Sequence, residues 1–414
     1  MRMDVPLPGS IFVVLSLMFA GELIADWPQW RGPQRDGTSA DLVAPQKWPD
    51  QLSERWRITV GEGHSSPLVV GDRVYLFTRQ QEEEVARCVR AADGKELWKS
   101  AYLAPYTMNS AATSHGKGPK STPVVAAGKL FTLGIGGILS CFATESGRLV
   151  WRKNFSKEFT NTSPLYGTAT SPIIVDNMCI VHVGGHDKGA LRAFDVESGL
   201  VRWSFEGDGP AYSSPILAML AKSLQVVTYT QDRVVGVSAS NGQLLWTVPA
   251  KRAFDTNSVS PVIYKDLVIL SSDEKGIGAF RIERSGPGFV AREVWRNSSV
   301  ESYMSTPVVH GARLFGFSYR KRGQFFCLDA DNGKLLWEGP GRTGENSAIV
   351  YADGLLFCLV DEANLVLINA DASSYEPVKE YQVASSPTWA HPVLMKDRIL
   401  VKDKTTLACL SFSP

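Results

Sequence analysis

The chain has 414 residues, with 43 basic against 42 acidic side chains and a net charge of +1. A nucleic-acid-binding surface carries a basic excess, so this balance excludes such a partner unless charge is strongly segregated. Hydrophobic content of 44% with 36 Gly and 23 Pro describes a turn-rich chain with ample core, and so an all-β protein.

At the N-terminus, Arg2 precedes an apolar run over residues 11–20 (IFVVLSLMFA), followed by small residues at Gly21 and Ala25. A membrane-spanning helix needs roughly 20 apolar residues. The run has instead the dimensions of a signal-peptide core. Residues 1–25 are therefore expected to be a secretory signal. The mature chain is expected in the periplasm or cell envelope, with no transmembrane segment. Cysteine first occurs at Cys88, which excludes an acylated lipoprotein N-terminus. Residues 26–53 follow as a lead-in, DWPQWRGPQRDG and onward, expected to pack over the body of the fold. Ligand stacking by Trp27 or Trp30 is the alternative.

From residue 54 onward one unit repeats. Its clearest copy runs from Ser305 to Trp337, with a small hydroxyl residue and proline, a short strand at Val308-Val309, and three further strands. The last turn, Asp331-Asn332-Gly333, is a strong hairpin signal. The inner strand is announced by SSP (65–67), STP (121–123), TSP (170–172), SSP (213–215), VSP (259–261) and STP (305–307). Two degenerate copies follow at NSA (346–348) and AHP (390–392). The outer strand carries Trp56, Trp98, Trp151, Trp203, Trp246, Trp295 and Trp337, with Tyr381 as an eighth copy. A mean spacing of about 46 residues is that of propeller blades. The expected fold is an eight-bladed β-propeller of four-stranded antiparallel blades over residues 54–414. Trp56 precedes the first inner strand, and only three strands follow His391-Pro392. Residues 54–60 are therefore expected to supply the missing strand of the last blade and close the ring. The tryptophans read as blade-to-blade packing. Cys88, Cys141, Cys327 and Cys409 share one position in the third strand, a slot for a small residue. They and Cys179 and Cys358 are expected as free, buried thiols.

The copies AADGKELW (91–98), ATESGRLVW (143–151), FDVESGLVRW (194–203) and LDADNGKLLW (328–337) resemble the pyrrolo-quinoline quinone (PQQ) repeat. That repeat builds the quinoprotein alcohol dehydrogenases, and also non-catalytic propellers of the BamB type. The resemblance covers residues 56 to about 410. WPQWRGPQRDG and SHGKGPKSTPVV (114–125) further resemble exported bacterial propellers of this kind. The dehydrogenases carry adjacent cysteines above the quinone and a Glu/Asn/Asp calcium set. This sequence has no Cys-Cys pair, and no matching calcium set can be placed on it.

Chain direction locates the candidate site. If inner strands run from a first face to a second, the short third-to-fourth-strand turns lie on the second face. The irregular links, residues 99–120 and 152–170, lie on the first. Long loops on a rigid scaffold carry binding. The candidate ligand- or partner-binding residues are Tyr106, Asn109, His115, Lys117, Lys120, Tyr166, His186, Asp187, Tyr212, Tyr303 and Trp389. His115, Lys117 and Lys120 suit an anion, and the aromatics suit a ring about the channel mouth. His182, His186 and Asp187 are weighed as metal ligands, but a turn stabilised by Asp187 is preferred, and no metal site is assigned. No nucleophile elbow, zinc spacing or phosphate loop occurs, and no catalytic residue is assigned. The expected function is that of an exported, monomeric, non-catalytic scaffold. It would bind a protein, peptide or small molecule at the first face without a cofactor. The alternative is a PQQ- and calcium-dependent oxidoreductase using the same funnel.

Overall fold

The computed structural model describes residues 26–413 apart from 187, 253–255 and 273–274. The expected signal, residues 1–25, lies outside the described residues. Eight antiparallel sheets follow one another around an axis. Blade 1 comprises Leu68–Val70, Arg73–Gln80, Glu83–Arg90 and Glu96–Leu103, and blade 6 comprises Val308–His310, Arg313–Ser318, Gln324–Asp329 and Leu335–Glu338. The ring closes as expected. Ser53–Thr59 pairs antiparallel with Thr406–Ser411, Trp56 lying opposite Cys409, and completes blade 8.

One departure from four strands occurs. Thr38–Ser39 of the lead-in pairs in parallel with Tyr351 and Ala352, adding a fifth strand on the inner side of blade 7. The whole lead-in crosses the second face. Asp26 accepts the Gly71 amide, the Pro28 carbonyl accepts the Val125 amide, and the Val43 amide donates to Lys396. Between these anchors the chain dips into the channel and plugs it.

Packing between blades follows a rule that spacing alone did not reveal. Five of the seven repeat tryptophans lie over the glycine in the third-to-fourth-strand turn of the next blade. The pairs are Trp56 on Gly94, Trp98 on Gly147, Trp151 on Gly199, Trp203 on Gly242 and Trp295 on Gly333. The indole Nε1–H then donates to a carbonyl of that next blade, at Ala91, Thr144, Val196, Ala239 and Ala330 respectively. The indole thus buries its apolar area while its polar atom is satisfied. Two differ: the Trp246 Nε1–H donates to Gln225 of its own blade at 2.6 Å, and the buried Trp337 Nε1–H has no hydrogen-bond partner. The cysteines fill the predicted slot. Cys88, Cys141, Cys327 and Cys409 lie directly across from Trp98, Trp151, Trp337 and Trp56. All six thiols are free and buried.

Candidate functional site

Side chains alternate along a strand. Counting back from the proline that opens each inner strand therefore gives the wall of the channel. The residue just before it points to the axis: Ser66, Thr122, Ser171, Ser214, Ser260 and Thr306, with Ser347 and His391 in the two degenerate blades. Two residues earlier comes a second tier, nearer the first face: His64, Lys120, Ala169, Tyr212, Ser258, Met304 and Trp389. These tiers enclose a funnel of about 380 Å³ on the propeller axis.

The deeper tier is a hydrogen-bonded ring. The His391 amide donates to Ser66 Oγ, the Ser66 amide to Thr122 Oγ1, and Thr122 to Ser171. The relay continues from Ser171 to Ser214, from Ser214 to Ser260 and from Ser260 to Thr306, at 2.8–3.1 Å. Each hydroxyl satisfies a neighbouring blade's buried amide, and the proline after it has no amide to satisfy. At blade 7 the pattern slips by one residue. Ser347 donates its amide to Ser305 Oγ, which donates in turn to Asn346 Oδ1. The Ser347 hydroxyl, only 1% exposed, has no partner.

The floor is Trp30, brought in by the lead-in. Arg31 and Arg35 lie against its ring at 5.4 and 5.3 Å, and His391 meets it edge-on at 5.7 Å. Both guanidiniums are buried and donate to backbone carbonyls of the ring. Arg31 reaches Pro307, and Arg35 reaches Pro172 and Ser171. Burial pulls Arg31 down to about 10 against the opposing pull of the Asp36 carboxylate, and burial with repulsion from Arg31 takes Arg35 to about 9.

The mouth is shaped by the segment at residues 114–120. A Cβ on Gly118 would sit 2.4 Å from the Gly63 backbone, so only glycine lets these two strand entries cross. The His64 and Ser65 amides donate to the Pro119 carbonyl there. His64 Nε2–H donates to the His115 carbonyl at 2.9 Å, fixing its tautomer. Burial pushes His64 down to about 3 and His391 likewise to about 3. Burial and then Lys120 also lower His115. Lys120 donates to the Tyr166 carbonyl at 2.7 Å, and burial lowers its ammonium to about 8. His115 packs edge-on to Trp389 at 4.9 Å, and Tyr166 lies against Tyr212 at 5.8 Å.

Of the predicted residues, the structure gathers His115, Lys120, Tyr166, Tyr212, Tyr303 and Trp389 around the funnel. The other described candidates lie elsewhere on the first face. Tyr106 packs toward Ser163 and Gly167, tying the two long links together. Asn109 accepts the Ala111 amide and caps a short 3-10 turn, Ser110–His115. Lys117 faces Glu82 at 3.7 Å on the rim. His186 stands on the second-to-third-strand turn of blade 3, outside the funnel wall, and Asp187 is outside the described residues. His182 is buried and bonds the Asp208 carbonyl, which removes it from any open metal site. Among the described residues, no three His, Cys, Asp or Glu side chains converge to hold a metal ion. Sequence reasoning missed His64, His391, Asn346 and the two buried arginines. The first two were legible as alternation from the proline; the arginines gave no local signal.

A family model described as outer membrane protein assembly factor BamB matches residues 81–339 and 292–410. The BamB of Shewanella oneidensis is 24% identical over 374 residues, covering 74% of this chain and 88% of its own length. Among solved structures, BamB from Moraxella catarrhalis superposes with a TM-score of 0.63 at 12% identity, over 87% of this chain and 98% of that one. Quinohemoprotein alcohol dehydrogenase from Comamonas testosteroni gives 0.69 at 11% identity, over 94% and 80%. At these identities the structural likenesses establish the eight-bladed fold alone. The family model spans most of the propeller, and the chain belongs to the family of the outer membrane protein assembly factor BamB.

Proposed function

We propose that this chain is an exported, non-catalytic scaffold that binds a protein or peptide partner through its first face, in outer-membrane protein assembly as the names of its relatives state. The family match carries this reading. The shape supports it. The second face is occupied by the lead-in, while the long links and the funnel mouth share the first. Residues 1–25 act in this proposal as the export signal, and the mature protein is a monomer. A pull-down with the mature protein tests the reading. It should capture a partner that is lost when residues 104–117, which follow the strand Glu96–Leu103 and precede the Gly118 crossing, are replaced by a short linker, and a partner indifferent to that change would move the interface elsewhere.

A second reading, a PQQ-dependent oxidoreductase, draws on the aromatic cup. A quinone of that class works with calcium, which takes 6–8 oxygen ligands. Among the described lining residues none is a carboxylate, and the one amide oxygen, Asn346 Oδ1, already accepts from Ser305. The described wall does not fit the metal. Saturable binding of the quinone with calcium, and dye reduction on an alcohol or sugar, would overturn the preference for a scaffold.

A further inference from the structure

The funnel has one opening. Trp30 and the strand Thr38–Ser39 close it from the second face, so a ligand that reaches the floor must leave by the mouth. An extended polypeptide cannot thread such a cup through its middle, whereas a chain end fits it.

Charge decides which end. Among the described lining residues Lys120 is the one formal charge, and no carboxylate stands beside it. Its ammonium uses the Tyr166 carbonyl and carries three donors in all. The lining imidazoles His64, His115 and His391 are held neutral by burial. Beneath Trp30 the Arg31 and Arg35 guanidiniums donate only to carbonyl oxygens, of the backbone and of Gln29. No carboxylate is hydrogen-bonded to either guanidinium; the nearby Asp36 carboxylate offsets part of the Arg31 charge, and Arg35 keeps its own. Such a wall repels an amino terminus and attracts a carboxylate. Two polar groups of the wall also stand unused: Ser347 Oγ, which is buried, and His391 Nδ1.

The remaining surface is aromatic. Trp30, Trp389, Tyr166, Tyr212 and Tyr303 surround a volume within the range of small-ligand pockets. It admits a terminal residue and its neighbour, and it rewards a ring at the end of the chain.

We propose that the funnel is a blind receptacle for the free C-terminal carboxylate of an extended partner peptide, with an aromatic last residue bedded between Trp30 and Trp389 and the carboxylate on Lys120. This rests on the protein-binding reading and names the chemistry of the contact. The test titrates the mature protein with a neutral hexapeptide ending in Phe, followed by tryptophan fluorescence and calorimetry. The same peptide as its C-terminal amide, and free 3-phenylpropionate, are the comparisons. The acid should bind at least 10-fold tighter than the amide and than phenylpropionate. Lys120→Gln should abolish the preference for acid over amide, and Lys120→Arg should keep it. Equal binding of acid and amide, or no binding of either, overturns the proposal without recourse to any variant. Phenylpropionate binding as tightly as the peptide overturns it too, and assigns the cup to small acids. Loss of a pulled-down partner on replacing residues 104–117, which spares Lys120, with no peptide preference, would leave the protein-binding reading standing and this one refuted. A partner retained after that replacement, with the acid preference intact, would place the partner interface away from that link and leave the receptacle standing.

Discussion

Gly147 and Gly128 both belong to blade 2 and both have φ of +69°. Alanine at either pays for the left-handed conformation, about 1 kcal/mol. They differ in what the new methyl would meet. At Gly128 nothing lies within 4 Å, whereas at Gly147 the methyl would be 2.4 Å from Trp98 Cε3. Carbon atoms pack best at roughly 3.5–4.0 Å, so Trp98 must withdraw. That overpacks the junction by about 1–3 kcal/mol and weakens the 2.7 Å bond from its Nε1 to the Thr144 carbonyl. Gly128→Ala should then cost about 1 kcal/mol and Gly147→Ala about 3. Trp98→Ala removes the nearer obstacle, leaving the rotatable Ser100 hydroxyl at 2.9 Å, at its own cost of about 3–5 kcal/mol. In that background Gly147→Ala should fall back to about 1 kcal/mol, a coupling of about 2, as for residues in direct contact. Urea unfolding followed by circular dichroism measures all four proteins. Equal costs at the two glycines, or additive effects in the double mutant, would refute docking of one blade's tryptophan on the next blade's glycine.

The hydroxyl ring predicts a contrast one residue apart. Ser214→Ala strips the buried Ser171 amide of its acceptor and should cost about 1–3 kcal/mol, while Ser213→Ala removes a hydroxyl that has no partner and should leave the melting curve nearly unchanged. Trp246→Phe keeps most of the apolar contact but orphans the buried Gln225 oxygen, for about 1–3 kcal/mol; Trp246→Ala should cost about 3–5, and chemical denaturation separates the two. Deleting residues 26–60 removes both the plug and the closing strand, and calorimetry should show loss of the single sharp transition; a truncated protein that still melts sharply would mean the ring closes otherwise. Lys402 is buried and donates to the Gly63 carbonyl, and burial lowers it to about 8 from an ordinary 10.5. The unfolded chain therefore holds more protons between those values, and this group makes stability rise with pH through that window. Lys402→Met should flatten the rise when melting temperatures are compared at pH 7.5 and 9.5.

The fold was readable because its signals repeat. Eight strand openings and eight outer aromatics agree in number, and Trp56 standing ahead of the first blade already required a strand to close the last. The glycines of the outer turns were readable only in part. Gly94, Gly147, Gly199, Gly242 and Gly333 look like hairpin residues within one blade, and their second role, as seats for the preceding blade's indole, involves a residue 38–49 positions earlier, a contact that no local pattern encodes. The same limit hid the floor of the funnel. Trp30, Arg31 and Arg35 lie in a segment without periodicity, and their partners, Pro172 and Pro307, are more than a hundred residues away. Half of the mouth was found through loop length and aromatic content. His64 was passed over because it sits in a short link, although it stands at the same step before its proline as Lys120 does.

The two tiers of the wall divide the work between scaffold and recognition. Hydroxyls before the prolines are held by neighbouring blades, so changing one costs a buried hydrogen bond. The tier two residues earlier forms no such continuous ring: Ala169, Ser258 and Met304 stand where His64, Lys120, Tyr212 and Trp389 stand in other blades. Its chemistry is accordingly uneven around the ring. The cation and imidazoles collect on blades 8, 1 and 2, where the Gly63–Gly118 crossing draws the first long link inward. The opposite wall keeps tyrosines. A symmetric shell can thus carry an asymmetric cup, because strand alternation puts the residues that must be alike and the residues that can differ in separate layers. The plug ties this cup to folding. The lead-in that supplies Trp30 continues directly into the strand that closes blade 8, so the floor of the funnel and the closure of the ring are built by one uninterrupted stretch of chain.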